Sequence, residues 1–147
     1  MADSEETLDR EEAVKKLNNA LRLQHRSIIE YTLVAASMTG FQYVGITPKL
    51  TDFARAEVDD ARRLAEKIAS FEGEPTTVVA KPRWSSNPTE AFEFLIEDET
   101  ETIEALQASI EPTGREGRSE ALEHRLEHMI MRKQEQVDYL LRARRHS

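Results

Sequence analysis

The sequence contains no cysteine in its 147 residues, which excludes a disulfide framework and any thiolate metal site. Aromatic residues make up only 6 %, and Gly and Pro number five each. The turn-dense, aromatic-rich pattern of a sandwich or barrel is therefore missing. No apolar run approaches the ~20 residues needed to span a bilayer. The opening stretch, Met1-Ala2-Asp3-Ser4-Glu5-Glu6, is acidic and lacks the apolar segment of a secretory signal. A cytoplasmic protein with no membrane partner is the expectation. Cations are also in short supply: 20 Lys and Arg stand against 28 Asp and Glu, a formal charge of −8. A nucleic-acid surface needs the opposite balance, so nucleic acid is excluded as a partner. The one basic cluster, Arg142, Arg144, Arg145 and His146, ends the last predicted helix, where cations complement the helix dipole.

What is abundant is Ala, Leu, Glu, Lys and Arg, the residues of helices. Apolar stripes at helical spacing predict four helices, at about 9–39, 48–72, 88–111 and 119–145, in a single domain spanning 1–147. Asp9 with Glu12 is read as the cap of helix A and Gly40 as its stop. Thr47-Pro48 opens helix B and Gly73 closes it, while Asn87-Pro88-Thr89-Glu90 starts helix C, which ends before Pro112. The A–B and C–D connections are short, so each pair is antiparallel. The segment from Gly73 to Asn87 is longer. Its fifteen or so extended residues reach roughly 45–50 Å, whereas a helix of roughly twenty-four residues is only about 36 Å long. The predicted fold is thus all-α, a four-helix bundle of up-down-down-up topology with a long B–C crossover. Val78, Val79 and Trp84 are expected to pack that crossover down.

Each stripe is interrupted near its middle by polar residues: Gln24 in helix A, Glu57 and Asp60 in helix B, Glu99 in helix C, and Lys133 with Gln136 in helix D. Residues three apart share a helix face, so each pair can point at one centre. A buried carboxylate is costly unless paired or metal-bound, and four helices contributing at one depth argue for a shared polar centre.

Here the chain resembles the bacterioferritins. The resemblance is carried by Leu17-Asn18-Asn19-Ala20-Leu21-Arg22-Leu23-Gln24-His25-Arg26-Ser27-Ile28-Ile29-Glu30-Tyr31, by Leu64-Ala65-Glu66-Lys67-Ile68-Ala69-Ser70-Phe71-Glu72-Gly73-Glu74-Pro75 and by Val137-Asp138-Tyr139-Leu140. It implies a ferritin-like bundle and a carboxylate centre that in the family holds two irons. The family's ligand pattern is a Glu on helix A, Glu-x-x-His on B, Glu on C and Glu-x-x-His on D. Carried over, those positions hold Gln24, Glu57 and Asp60, Glu99, and Lys133 with Gln136, with Glu97 and Glu101 as alternative registers on helix C. Two of the six keep the family residue. The family's haem ligand, a Met after the first helix B Glu, is Val58 here, which implies no haem. The short chain after helix D lacks the fifth helix of the large cages, so a homodimer on helices A and B is expected rather than a twenty-four-subunit shell. Tyr31 and His25 are expected beside the centre, while His124 and His128 lie off the stripe and face solvent.

Three chemistries follow. Lys133 can balance Glu57 and Glu99 in an ion-pair cluster, with Gln24 and Gln136 supplying amide hydrogen bonds, giving a binding or structural module without ferroxidase activity. Alternatively, Glu57, Asp60 and Glu99 with an amide oxygen of Gln24 or Gln136 can hold one iron or manganese ion, provided Lys133 turns away. A third reading makes Lys133 and a carboxylate an acid–base pair, which requires a cavity beside them.

Overall fold

A computed structural model describes residues 2–114 and 120–145, with side chains over 10–110 and 124–145. Four helices follow one another: α1 (Ala2–Ser37), α2 (Thr47–Ser70), α3 (Pro88–Gly114) and α4 (Glu120–Arg145), with a single 3-10 turn, Phe41–Tyr43, between the first two. α1 packs on α2 and α3, α3 on α4, and α2 touches α4 along a sparser seam. No described helix is long and apolar enough to cross a membrane.

Two apolar layers cap the bundle above and below a polar middle. One contains Leu17, Leu64, Ile68, Leu106 and Leu126. The other contains Tyr31, Met38, Leu50, Phe92, Leu95 and Leu140. The start of α1 thus meets the ends of α2 and α3 and the start of α4, which is the up-down-down-up arrangement. The crossover climbs α1 from bottom to top. Asn18 bonds the Glu74 carbonyl and the Thr76 amide, the Ala80 amide donates to the Arg22 carbonyl at 3.2 Å, and the Arg83 amide donates to Glu30 Oε2 at 2.7 Å. Polar contacts and the buried Ala80 anchor this strand. Val78, Val79 and Trp84 are 58, 41 and 47 % exposed, so the expectation that they pack it down is corrected.

The ends of the helices differ from expectation in instructive ways. α1 begins at Ala2 rather than near residue 9, because no breaker separates the acidic opening from the stripe. α3 runs through Pro112 to Gly114, while the expected start at Ser119 lies outside the described residues. Asn87 caps α3 as read, its Oδ1 accepting the Glu90 amide at 3.2 Å. Thr47 is already helical, and its hydroxyl donates back to the Met38 carbonyl at 2.8 Å instead of capping α2. α2 ends at Ser70, and the left-handed residue that follows lies one position before the glycine expected to close the helix. Glu72 takes the left-handed conformation (φ 63°), and the Glu72 and Gly73 amides bond the Ala69 and Ile68 carbonyls. Gly73 is needed for closeness: a Cβ there would stand 2.6 Å from Val14 Cγ1 on α1.

Candidate functional site

The polar interruptions do converge. Lys133, fully buried on α4, donates from Nζ to Glu57 Oε2 of α2 at 2.5 Å and to Glu99 Oε1 of α3 at 3.0 Å. Gln136, one turn on, donates to Glu57 Oε1 at 2.8 Å and to the Tyr31 hydroxyl at 3.1 Å. From α1, Gln24 Nε2 donates to the Glu57 carbonyl at 2.9 Å and to its carboxylate. Ser27 and Tyr31 donate to the two oxygens of Glu99 at 2.6 and 3.1 Å. Helical spacing explains the convergence: Gln24, Ser27 and Tyr31 share a face of α1 at steps of three and four, as Lys133 and Gln136 do on α4.

Asp60 is drawn into a pair of its own. Both of its oxygens are held by the Arg132 guanidinium of α4, whose Nε bonds Gln136 Oε1 at 3.1 Å. Arg132 is the centre's second cation, and the sequence reading missed it. Its signal was the i,i+4 relation to Gln136, masked by its place beside Lys133 on what looks like a solvent edge. Ser27 was missed because a buried Ser on a helix reads as filler. The helix C register is Glu99. Glu97 and Glu101 lie outside the core and pair with Arg83 and Arg26. His25 does not join the centre. Its Nε2 faces the Thr76 carbonyl at 3.2 Å, because its position on α1 looks toward the crossover. His124 and His128 are exposed, as expected.

The electrostatics follow from burial and pairing. Burial alone would raise Glu57, but the ammonium of Lys133, the amide of Gln136 and Arg132 hold it below the ordinary carboxylate value. Burial and the neighbouring charge of Glu57 push Glu99 up to about 7 against the pull of Lys133. Burial opposes the charge on Lys133, yet the two carboxylates keep its pKa above normal. Burial raises Tyr31, as do Glu99 and Glu57. With Arg132 matched to Asp60 and Lys133 to Glu57, Glu99 is the surplus acid of the centre, held by hydrogen bonds from Ser27, Tyr31 and Lys133.

A second buried cluster lies on the α1–α3 seam under the crossover. Arg83 forks onto Asp98 at 2.6 and 3.2 Å, and Arg26 donates to Glu101 at 2.9 Å and to the Asp98 carbonyl. Burial and a hydrogen bond with Asp98 push the Glu30 carboxyl up to about 9.

Comparison with known proteins gives this geometry its setting. A family model described as a ferritin-like domain matches residues 14–143. The chain belongs to the ferritin-like family. Among solved structures, a ferritin-like, diiron-carboxylate protein from Bacillus anthracis is 27 % identical with a TM-score of 0.85, covering 92 % of this chain and 96 % of that one. The Desulfovibrio desulfuricans bacterioferritin, solved with its diiron site in different catalytic states, is 22 % identical with a TM-score of 0.85, covering 96 % of this chain and 82 % of its own. The Rhodobacter capsulatus bacterioferritin, described with a metal-free dinuclear site and haem iron, is 19 % identical with a TM-score of 0.78, covering 88 and 81 %. No match is found among curated proteins.

The donor set of this ferritin-like chain does not fit a pair of metal ions. An ammonium stands between the two carboxylates that would bridge or flank them, and both glutamines turn their NH₂ groups to those carboxylates. Asp60 is clasped by Arg132. Among the described residues no three His, Cys, Asp or Glu side chains are grouped to hold a metal. A divalent ion here would meet a fixed positive charge at contact distance.

Proposed function

We propose that the protein is a ferritin-like binding or structural module without ferroxidase activity, its centre held by an internal ion-pair cluster in place of a metal pair. One observation carries the reading: Lys133 Nζ, with no exposure, lies within hydrogen-bond distance of both Glu57 and Glu99. Truncating a member of such a cluster is strongly destabilising because it strands a buried charge. The cluster therefore serves the fold in a way a dissociable ion need not. The closed packing around Lys133 counts against the acid–base reading. No haem is part of the proposal, since Val58 stands half-exposed at the ligand position.

A second reading, one iron or manganese ion in a rearranged site, is favoured by a single observation. Gln24 Oε1 is a buried acceptor without a hydrogen-bond donor. Elemental analysis of protein purified from cells grown with both metals decides between the two. The expected result is far less than one equivalent of either metal per chain, with Lys133→Glu raising it. Two equivalents of iron in the unmutated chain would overturn the ion-pair reading, and one equivalent would establish the second.

The assembly we propose is a homodimer through the outer faces of α1 and α2. Its support is a shallow groove lined by Thr32, Ala36, Arg55 and the 53 % exposed Val58, with Leu33, 41 % exposed, next to Thr32 on α1. Sedimentation velocity checks it: a monomer at micromolar concentration, or a Val58→Arg variant with unchanged mass, would remove this interface.

A further inference from the structure

The sparse seam between α2 and α4 opens into a hollow of about 600 Å³, within the range of small-ligand pockets. Its walls follow from helical spacing. Lys49, Phe53 and Ala56 line one side from α2, and Arg132, Gln136, Tyr139 and Arg142 line the other from α4. Ala56 contributes only a methyl group to the α2 wall, which leaves room in the hollow. The floor is Gln136, whose Nε2 is fixed by the Tyr31 hydroxyl and Glu57. The hollow therefore ends on a rigid polar base rather than on solvent.

Its upper end combines two rings with two cations. Phe53 and Tyr139 meet edge to face with centroids 5.5 Å apart. Lys49 Nζ lies 5.7 Å from the Phe53 centroid and 6.0 Å from that of Tyr139. Burial raises the pKa of the Tyr139 hydroxyl, and Arg142 is close enough to offset part of that rise. Arg132 is committed to Asp60, but no ion pair forms between Lys49 or Arg142 and a carboxylate among the described residues. Asp52 and Glu135 also line the hollow, and both are exposed.

We propose that this hollow binds a small aromatic carboxylate, its ring against Phe53 and Tyr139 and its carboxylate between Lys49 and Arg142. Aromatic edges recognise a flat apolar body, and a carboxylate gains charge-assisted hydrogen bonds from a guanidinium and an ammonium that lack acidic partners. The site goes beyond the reading of the buried centre: it shares Arg132 and Gln136 with that centre, but Lys133 does not line the hollow.

Isothermal titration of the full chain with benzoate, phenylacetate and 1-naphthoate, each against benzyl alcohol as the neutral counterpart, tests the proposal. At least one of the acids is expected to bind at millimolar concentration or better, and to weaken as salt is added. Arg142→Gln and Lys49→Gln should each weaken it about tenfold, the loss of one charge-assisted hydrogen bond. Ala56→Leu, which fills the hollow without touching a charge, should abolish it while leaving the helical circular dichroism unchanged. Binding of benzyl alcohol as tight as that of the acids, no binding by any acid, or full affinity in Ala56→Leu would each overturn it. The Gln variants lie on exposed positions, so the charge arm remains readable even if Ala56→Leu fails to fold.

Discussion

Replacing Lys133 with Met keeps most of the length of the side chain and removes the ammonium, with its charge and its hydrogen bonds to Glu57 and Glu99. The wild-type ammonium serves two carboxylates, both at most 1 % exposed. Without it Glu57 loses its nearest cation, keeping Arg132 only at 4.0 Å. Stranding a buried charge in this way costs about 3–5 kcal/mol. For a domain of this size that corresponds to a fall in Tm of about 6–20 °C. The cost must also depend on pH, and its sign is fixed. In the wild type Glu57 is depressed below its ordinary value of 4.5 by Lys133, so its stabilisation is present above that value and lost as pH falls. In the variant Glu57 becomes a buried acid without that cation, and protonation relieves it. The gap between the two proteins should therefore be wide at pH 7 and narrow toward pH 4. Urea unfolding followed by far-UV circular dichroism at several pH values measures this directly, with Glu57→Gln/Lys133→Met as the control that removes both charges and recovers much of the loss. A gap under about 0.5 kcal/mol at pH 7, the scale of an ordinary surface substitution, or a gap that does not move with pH, would refute the ion-pair account of the centre.

Two further outcomes follow from groups outside that pair. Glu30 and Glu99 carry folded pKa values of about 9 and about 7 against 4.5 unfolded. Folding takes up protons at both, so stability should decline as pH rises from about 5 toward 9. Glu30→Gln should flatten the upper half of that decline and stabilise the protein at pH 8, as read by Tm across pH; an unchanged slope would sink the assignment. Gly73→Ala should cost about 1–3 kcal/mol by overpacking against Val14. Combining it with Val14→Ala should cost less than the two changes summed, and strict additivity in urea unfolding would show that the close approach is not the cause.

The bundle, its topology and the convergence of Gln24, Glu57, Glu99, Lys133 and Gln136 were legible because helical periodicity converts sequence spacing into a shared face, and polar breaks in an apolar stripe are conspicuous. Asn87 could be read as a cap for the same local reason. What was not legible depended on partners far along the chain. Arg132 looks like a surface residue until Asp60, seventy-two positions away, is brought against it. His25 points to the crossover because the strand passes there, which no local pattern states. The left-handed residue at the end of α2 is Glu72, while the glycine beside it serves a close approach to Val14 that no local pattern states. At Glu74, Thr76 and Ala80 the crossover is held through its own amides and carbonyls, so those contacts leave no trace in the residue types there.

The position of Lys133 also changes what the folded state owes to its surroundings. A cation that dissociates stabilises a protein by an amount that rises and falls with its free concentration. A cation built into the chain is supplied by the same covalent connection that supplies the carboxylates, at an effective concentration no buffer can dilute. On the proposed reading the interior of this bundle carries a counter-ion of its own in Lys133, inherited with the sequence instead of being drawn as a metal from the medium.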